Sequence, residues 1–190
     1  MTLKYQILYS ILSGLLLFLS FPPYNFYYFA FFALIPLIIV LQYIESIKNL
    51  ALITISFSLT FTLGLLYWIY VYNLFSLPGI IILFFIYFFI LFLIYNFINQ
   101  RNNFLGIFLF PFIWTTIEYL RSSGKFGFPW GVLGYSQYSF IQFIQISDII
   151  GVFGISFLIC LINSMLAFLY ISKLNKNNII VQSIIVIILL

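Results

Sequence analysis

The sequence has 190 residues, of which 65% are hydrophobic and 5% are charged, and its formal net charge is +4. Soluble globular proteins carry about 25% charged residues, so this composition excludes a soluble fold and predicts an integral membrane protein. The seven Lys and Arg residues are scattered singly and form no basic stripe, so we expect no nucleic-acid partner.

Long apolar runs follow one another along almost the whole chain. A helix needs about 20 residues to cross about 30 Å of hydrocarbon, and lipid excludes unpaired backbone groups, so each run predicts a membrane-spanning helix. The predicted fold class is all-α: a polytopic membrane helix bundle of about seven transmembrane helices, the last one truncated. The predicted spans cover residues 5–21, 25–44, 51–72, 78–97, 104–120, 146–171 and 179–190.

Prolines mark the end of the first span and the middle of the second. Pro22 and Pro23 end the first span because proline cannot continue a helix and suits a tight turn. Pro36 lies inside the second apolar run, so we expect a kink there. In the sixth span, Asp148 is expected at the helix start, where a carboxylate interacts favourably with the helix dipole. Gly151 and Gly154 are expected to allow close helix packing.

The cations predict the orientation of the bundle, because Lys and Arg near span ends prefer the cytoplasmic side. With a cytoplasmic N-terminus, five of the seven cations are cytoplasmic and only Arg121 and Lys125 lie outside. The five predicted cytoplasmic cations are Lys4, Lys48, Arg101, Lys173 and Lys176. We therefore predict a multi-pass protein of the bacterial cytoplasmic (inner) membrane in which residues 121–145 face the extracytoplasmic side.

Residues 121–145 differ from the rest of the chain. They are too broken by Gly and Pro for a spanning helix, yet too aromatic for a free loop. Irregular backbone at membrane depth is tolerated where it is buried in protein or faces a wet cavity. We expect this segment to form an extracytoplasmic or re-entrant loop that lines a cavity for acyl chains.

Two charged residues precede this loop. Glu118 and Arg121 are three residues apart and share a helix face, so the spacing allows a helix-end ion pair that makes both charges tolerable. The functional alternative is that they close one wall of a site for an amphiphile, because ionisable residues near a membrane cavity are functional candidates. The following Phe128-Pro129-Trp130 likewise fits either an interfacial aromatic belt or such a site.

Three short motifs occur in order: Glu118-Tyr119-Leu120-Arg121, Gly127-Phe128-Pro129-Trp130 and Gly134-Tyr135-Ser136-Gln137. Together with Phe21-Pro22-Pro23-Tyr24 and Gly64-Leu65-Leu66-Tyr67-Trp68, they resemble the membrane region of bacterial apolipoprotein N-acyltransferases. The resemblance covers roughly residues 12–170. It implies a membrane portion whose seventh span leads into an extracytoplasmic nitrilase-like domain.

The resemblance also implies a reaction. In that family the nitrilase-like domain supplies Glu, Lys and Cys residues. The cysteine attacks a phospholipid ester, forms a thioester and passes the acyl chain to the amino group of a lipoprotein's diacylglyceryl-cysteine. The sequence ends before such a domain could begin. We therefore expect the membrane portion alone, as a truncated gene product or as a split protein with a separately encoded hydrolase-like domain.

By this resemblance, the expected partners are a phospholipid acyl donor, a diacylglyceryl lipoprotein acceptor and membrane lipid. We expect no catalytic residue, cofactor or metal site in residues 1–190. The expected substrate-binding residues are Glu118, Arg121, Phe128, Pro129, Trp130, Tyr135, Ser136 and Gln137. Among these, Trp130, Tyr135 and Gln137 are expected at the mouth of the site.

The single cysteine is not expected to act as a nucleophile. Cys160 lies within an apolar span, where low polarity disfavours the reactive thiolate. The alternative function is a small multi-span transporter or membrane scaffold protein. Its charged residues would have to line a path near the membrane midplane, whereas all ten charges lie at or near predicted span ends.

Overall fold

The computed structural model describes residues 1–71, 76–125 and 127–174, and all regular structure within these ranges is helical. The predicted all-α membrane helix bundle is thus confirmed. The α-helices are α1 (Leu3–Leu19), α2 (Ile35–Leu41), α3 (Ile47–Leu66), α4 (Ser76–Asn99), α5 (Asn103–Ser122), α6 (Ile141–Ile144) and α7 (Ser147–Leu174). Short 3-10 helices occupy Tyr27–Phe31, Tyr67–Val71 and Leu133–Gln137.

Four of the described helices are long and apolar enough to cross a membrane, and two shorter apolar helices accompany them. The long ones are Ile47–Val71, Ser76–Asn99, Phe104–Ser122 and Ser147–Ser172. The shorter ones are Leu3–Leu19 and Tyr27–Leu41. The predicted seventh span, 179–190, lies outside the described residues.

The main helices pack as a closed ring. α1 packs on α3, α3 on α4, α4 on α5 and α5 on α7, while α2 contacts both α7 and α1 and completes the circuit. Aromatic side chains fill the space between α3, α4 and α5: the ring of Phe57 lies 4.9 Å from that of Phe88, and Phe88 lies 5.6 Å from Trp114. Gly14 lets α1 approach α3, because a Cβ there would lie 2.9 Å from the carbonyl oxygen of Phe57.

The predicted second span is divided rather than kinked. The chain forms the 3-10 helix Tyr27–Phe31, turns, and starts α2 with Pro36 in its first turn. Proline is well tolerated there, because the first amides of a helix have no intrahelical acceptor. Asn163 of α7 satisfies the interrupted backbone: its Oδ1 accepts from the Leu34 amide at 2.9 Å, and its Nδ2 donates to the Ala30 carbonyl at 2.8 Å.

The start of α7 contains a sharp turn at Gly151, one of the two glycines expected to allow close helix packing. Gly151 has φ 68° and ψ 175°, a conformation reserved almost entirely for glycine, and a Cβ there would meet nothing within 4 Å. At Gly154 a Cβ would meet the side chain of Ile150. The expected close helix packing is therefore not found at Gly151, whereas Gly154 makes its close contact with the turn just before Gly151. Asp148 does lie in the first turn of α7, as predicted.

Candidate functional site

The end of α5 carries the two charged residues of the expected site. Glu118 and Arg121 are each 4% exposed, so both lie inside the protein. Although their opposite charges attract each other, the hydrogen bonds of both side chains within the described chain go elsewhere. They bind the loop that follows α5 and Trp114 instead of forming the helix-end ion pair that their spacing allows.

Arg121 holds the first half of that loop. Its Nη1 donates to the carbonyl oxygens of Phe128 at 2.8 Å and Trp130 at 2.5 Å, and its own carbonyl accepts from the Phe128 amide at 2.8 Å. The guanidinium also lies 4.7 Å from the centre of the Phe84 ring on α4, a distance at which cation–π attraction operates. Arg121 thus joins α4, α5 and the loop.

Glu118 holds the second half of the loop. Its Oε1 accepts from the indole Nε1 of Trp114 at 2.9 Å and from the backbone amide of Leu133 at 2.8 Å. The next amide, that of Gly134, donates to the hydroxyl of Ser156 on α7 at 2.8 Å. Unpaired amides at the start of a helix favour an acceptor with negative charge. Glu118 and Ser156 therefore fasten the 3-10 helix Leu133–Gln137 between α5 and α7.

Three of the expected site residues are exposed. Pro129 lies at the surface, and Trp130 and Tyr135 are 47% and 48% exposed. The Trp130 ring lies 5.1 Å from that of Trp68 and 5.1 Å from that of Phe128, which is half-buried. The loop thus presents an aromatic surface whose backbone is fixed from beneath by Arg121.

Ser136 and Gln137 are fully buried, which corrects the expectation that Gln137 lies at the mouth. The Gln137 Nε2 donates to the carbonyl of Tyr27 at 3.0 Å and to the Ser136 hydroxyl at 2.8 Å. Its Oε1 has no hydrogen-bond partner among the described residues. Gln137 therefore connects the loop to the start of the 3-10 helix Tyr27–Phe31, and the Tyr138 hydroxyl donates to Asn25, just before that helix, at 2.6 Å.

Residues 13–165 match the family model of the apolipoprotein N-acyltransferase N-terminal domain, which is well over half of the chain. The chain belongs to this family. All eight expected site residues lie inside the matched range.

A curated apolipoprotein N-acyltransferase from Geobacter metallireducens is 40% identical over 57 residues. That alignment covers 30% of this chain and 11% of the relative. The family match thus concerns the N-terminal domain of apolipoprotein N-acyltransferases. The alignment with the curated relative covers only a small part of that protein's length.

The thiol and the carboxylates of the described residues are candidate reactive groups or metal ligands. Cys160 on α7 is fully buried, which keeps its thiol away from any substrate at the surface. Across the described ranges, no three His, Cys, Asp or Glu side chains gather as a metal site would require. The domain presents an aromatic surface around Trp130, and buried Glu118 and Arg121 support its backbone.

Several residues that support the loop were not predicted from the sequence. Trp114 and Ser156 complete the Glu118 network, and the Trp68 ring packs edge-to-face against that of Trp130. Trp68 belongs to the Gly64–Trp68 motif that carried part of the family resemblance, so the sequence did indicate it. Nothing in the sequence indicated Ser156, because a single serine in an apolar span is ordinary. Only the path of the loop brings the Gly134 amide to its hydroxyl.

Proposed function

We propose that this chain is the membrane portion of an apolipoprotein N-acyltransferase, which transfers an acyl chain from phospholipid to the N-terminal diacylglyceryl-cysteine of lipoproteins. The observation that carries the proposal is the exposed pair Trp130 and Tyr135, held on a loop that buried Glu118 and Arg121 fix to the bundle. In this role the chain anchors a hydrolase-like domain and holds acyl chains and lipopeptide beneath it.

The chemistry of the exposed pair suits an amphiphilic ligand. Trp and Tyr rings combine an apolar body with a polar edge, and they favour the boundary between hydrocarbon and water. A diacylglyceryl-cysteine has the same division between acyl chains and a polar head. Trp68, 37% exposed beside Trp130, extends the aromatic surface toward the end of α3.

The fixed backbone supports binding as well. A loop that is already ordered loses less conformational entropy on binding than a free loop, so more of the contact energy appears as affinity. The carbonyls of Phe128 and Trp130 are both held by Arg121, and the amide of Leu133 is held by Glu118. The exposed rings are therefore positioned before a ligand arrives.

The acyl transfer itself is proposed to take place on a hydrolase-like domain with Glu, Lys and Cys residues. A thiolate there attacks the phospholipid ester carbonyl and releases the lysophospholipid. The lipoprotein amine then attacks the thioester, gives up a proton and regenerates the thiol. Residues 1–190 alone are proposed to bind lipopeptide without acylating it, in the bacterial cytoplasmic membrane with the aromatic loop on the extracytoplasmic side.

Binding of a fluorescent diacylated lipopeptide to the chain in lipid nanodiscs tests the proposal. Trp130→Ala is expected to weaken binding about tenfold, which corresponds to about 1.4 kcal/mol. Tyr170→Ala is the matched control, because Tyr170 is 54% exposed near the other end of α7. Equal affinity of Trp130→Ala and the unaltered chain would refute the proposed surface. N-acylation of the lipopeptide by the purified chain, detected by mass spectrometry, would refute the proposed division of labour.

A further inference from the structure

The segment that enters α7 exposes four isoleucines. Ile149 is 85% exposed and Ile141 is 64% exposed, while Ile146 and Ile150 are each 40% exposed. The segment consists of the short helix α6 and the first turn of α7, and it ends at the sharp turn of Gly151. Four exposed isoleucines in ten residues form an apolar patch that water would solvate poorly.

The other side of this segment is attached to the bundle by aromatic rings. Phe143 lies 5.5 Å from Phe31 and 5.7 Å from Phe140, and Phe140 stacks on Tyr27 at 5.4 Å. The phenylalanines thus hold the segment against the first 3-10 helix. The isoleucines remain on the surface, where the protein leaves them uncovered.

The segment is not needed to cross the membrane. Residues 152–172 continue as helix beyond Gly151, and about 21 residues at about 1.5 Å each give about 32 Å. This length already matches the hydrocarbon thickness of about 30 Å. If α7 spans from about residue 152, the preceding residues lie at the level of one membrane surface, at the same end of the bundle as the aromatic loop.

We infer that residues 141–150 form an interfacial segment that inserts its isoleucines into the acyl region of the adjacent lipid leaflet. Its occupant is the lipid surface, because the patch is continuous along the chain with the apolar spanning part of α7. Exposed Tyr135 and Tyr138 precede it, and these side chains favour the lipid–water boundary. This inference rests on the membrane character of the chain and not on its proposed acyl-transfer role.

The charge of the segment predicts which lipids it favours. Within residues 141–150, Asp148 is the only charged residue, and there is no Lys or Arg. Interfacial segments that depend on anionic lipid carry basic residues, so this one is expected to insert through apolar contact alone. Its depth should be the same in zwitterionic and in partly anionic membranes.

Nitroxide labels on single cysteines test the insertion. In a Cys160→Ala background, the full chain carries Ile149→Cys or Ile141→Cys in phosphatidylcholine nanodiscs, and power saturation compares accessibility to oxygen and to a water-soluble nickel chelate. Lys125→Cys is the aqueous control, because Lys125 is an exposed residue of the polar part of the loop. Phe112→Cys is the deep control, because Phe112 is 49% exposed midway along α5.

Both isoleucine positions are expected to favour oxygen over the nickel chelate, at a depth between the two controls, and adding phosphatidylglycerol should not change it. Nickel accessibility equal to that of Lys125→Cys would place the patch in water and overturn the inference. Low accessibility to both reagents would show that protein covers the patch, and would overturn it equally. Since the two positions are tested separately, disturbance by one label does not decide the result.

Discussion

The Glu118 carboxylate accepts the amide hydrogen of Leu133 at 2.8 Å, so a residue of α5 fastens the chain fifteen positions later. The Arg121 guanidinium fastens Phe128 and Trp130 in between. Two residues one helical turn apart thus fix both halves of the aromatic loop. Their burial and their bonding indicate that they position the loop, while Pro129, Trp130 and Tyr135 are the exposed residues of the expected site.

Replacing Glu118 should loosen the loop. In Glu118→Ala the Leu133 amide and the Trp114 indole lose their acceptor, and the free energy of unfolding should fall by about 3 kcal/mol, since each buried unpaired donor costs about 1–3 kcal/mol. Limited trypsinolysis after exposed Lys125 should become faster. Glu118→Gln keeps a side-chain oxygen that can accept these hydrogen bonds. Its cleavage rate should therefore lie between those of Glu118→Ala and the unaltered chain. Identical cleavage rates for Glu118→Ala and the unaltered chain would contradict the proposed fastening.

The two arginines that lie over aromatic rings offer a matched comparison. Arg121 lies over Phe84 in the site, whereas Arg101 lies 4.3 Å from the centre of the exposed Phe97 ring, in the connection from α4 to α5. Arg121→Ala should weaken lipopeptide binding about tenfold, because the carbonyls of the aromatic loop lose their shared donor. Arg101→Ala should leave it unchanged. Equal effects in nanodisc titrations would mean that charge, and not loop positioning, governs binding.

Asn163 should matter for stability more than its neighbour. Asn163→Leu leaves the Leu34 amide and the Ala30 carbonyl without their partner, and should lower the free energy of unfolding by about 3 kcal/mol. Ser164→Ala is the control, because Ser164 is also buried but its hydroxyl has no hydrogen-bond partner among the described residues. Thermal unfolding in detergent measures both. A Tm of Asn163→Leu as high as that of Ser164→Ala would contradict this role.

The predicted orientation can be tested with accessible cysteines. Lys48, Arg101 and Lys125 are all exposed, and Cys160 is buried, so the unaltered chain provides an unlabelled background. In intact cells a membrane-impermeant maleimide should label Lys125→Cys, and should label Lys48→Cys and Arg101→Cys only after permeabilisation. The reverse pattern would show that the aromatic loop faces the cytoplasm and would contradict the proposed place of lipoprotein binding.

Long apolar helices are predictable from sequence because their length and composition are local properties. The predicted run 104–120 corresponds to α5, Asn103–Ser122, and 146–171 corresponds to α7, Ser147–Leu174. The break before Pro36 was not predictable, since it depends on Asn163 reaching across from α7 to bond the interrupted backbone. A single asparagine in an apolar run does not reveal which backbone groups it will meet.

The site was predicted as a set of residues but not as an arrangement. The motifs directed attention to Glu118, Arg121 and the loop after them. Which side chains support the loop and which face outward depends on its path. The path buries Gln137 against the start of the 3-10 helix Tyr27–Phe31 and leaves Tyr135, two positions earlier, exposed. A 3-10 helix with no regular amphipathic pattern does not show this from sequence alone.

Site-specific photo-crosslinking tests the central claim most directly. A benzophenone amino acid at position 135 retains an aromatic ring on the exposed surface, and the same amino acid at position 170 provides the control at the other end of α7. With a diacylated lipopeptide in nanodiscs, illumination should attach the lipopeptide at position 135, and excess unlabelled lipopeptide should compete with it. Crosslinking that is equal at positions 135 and 170, or that resists competition, would contradict a lipopeptide-binding surface on this loop.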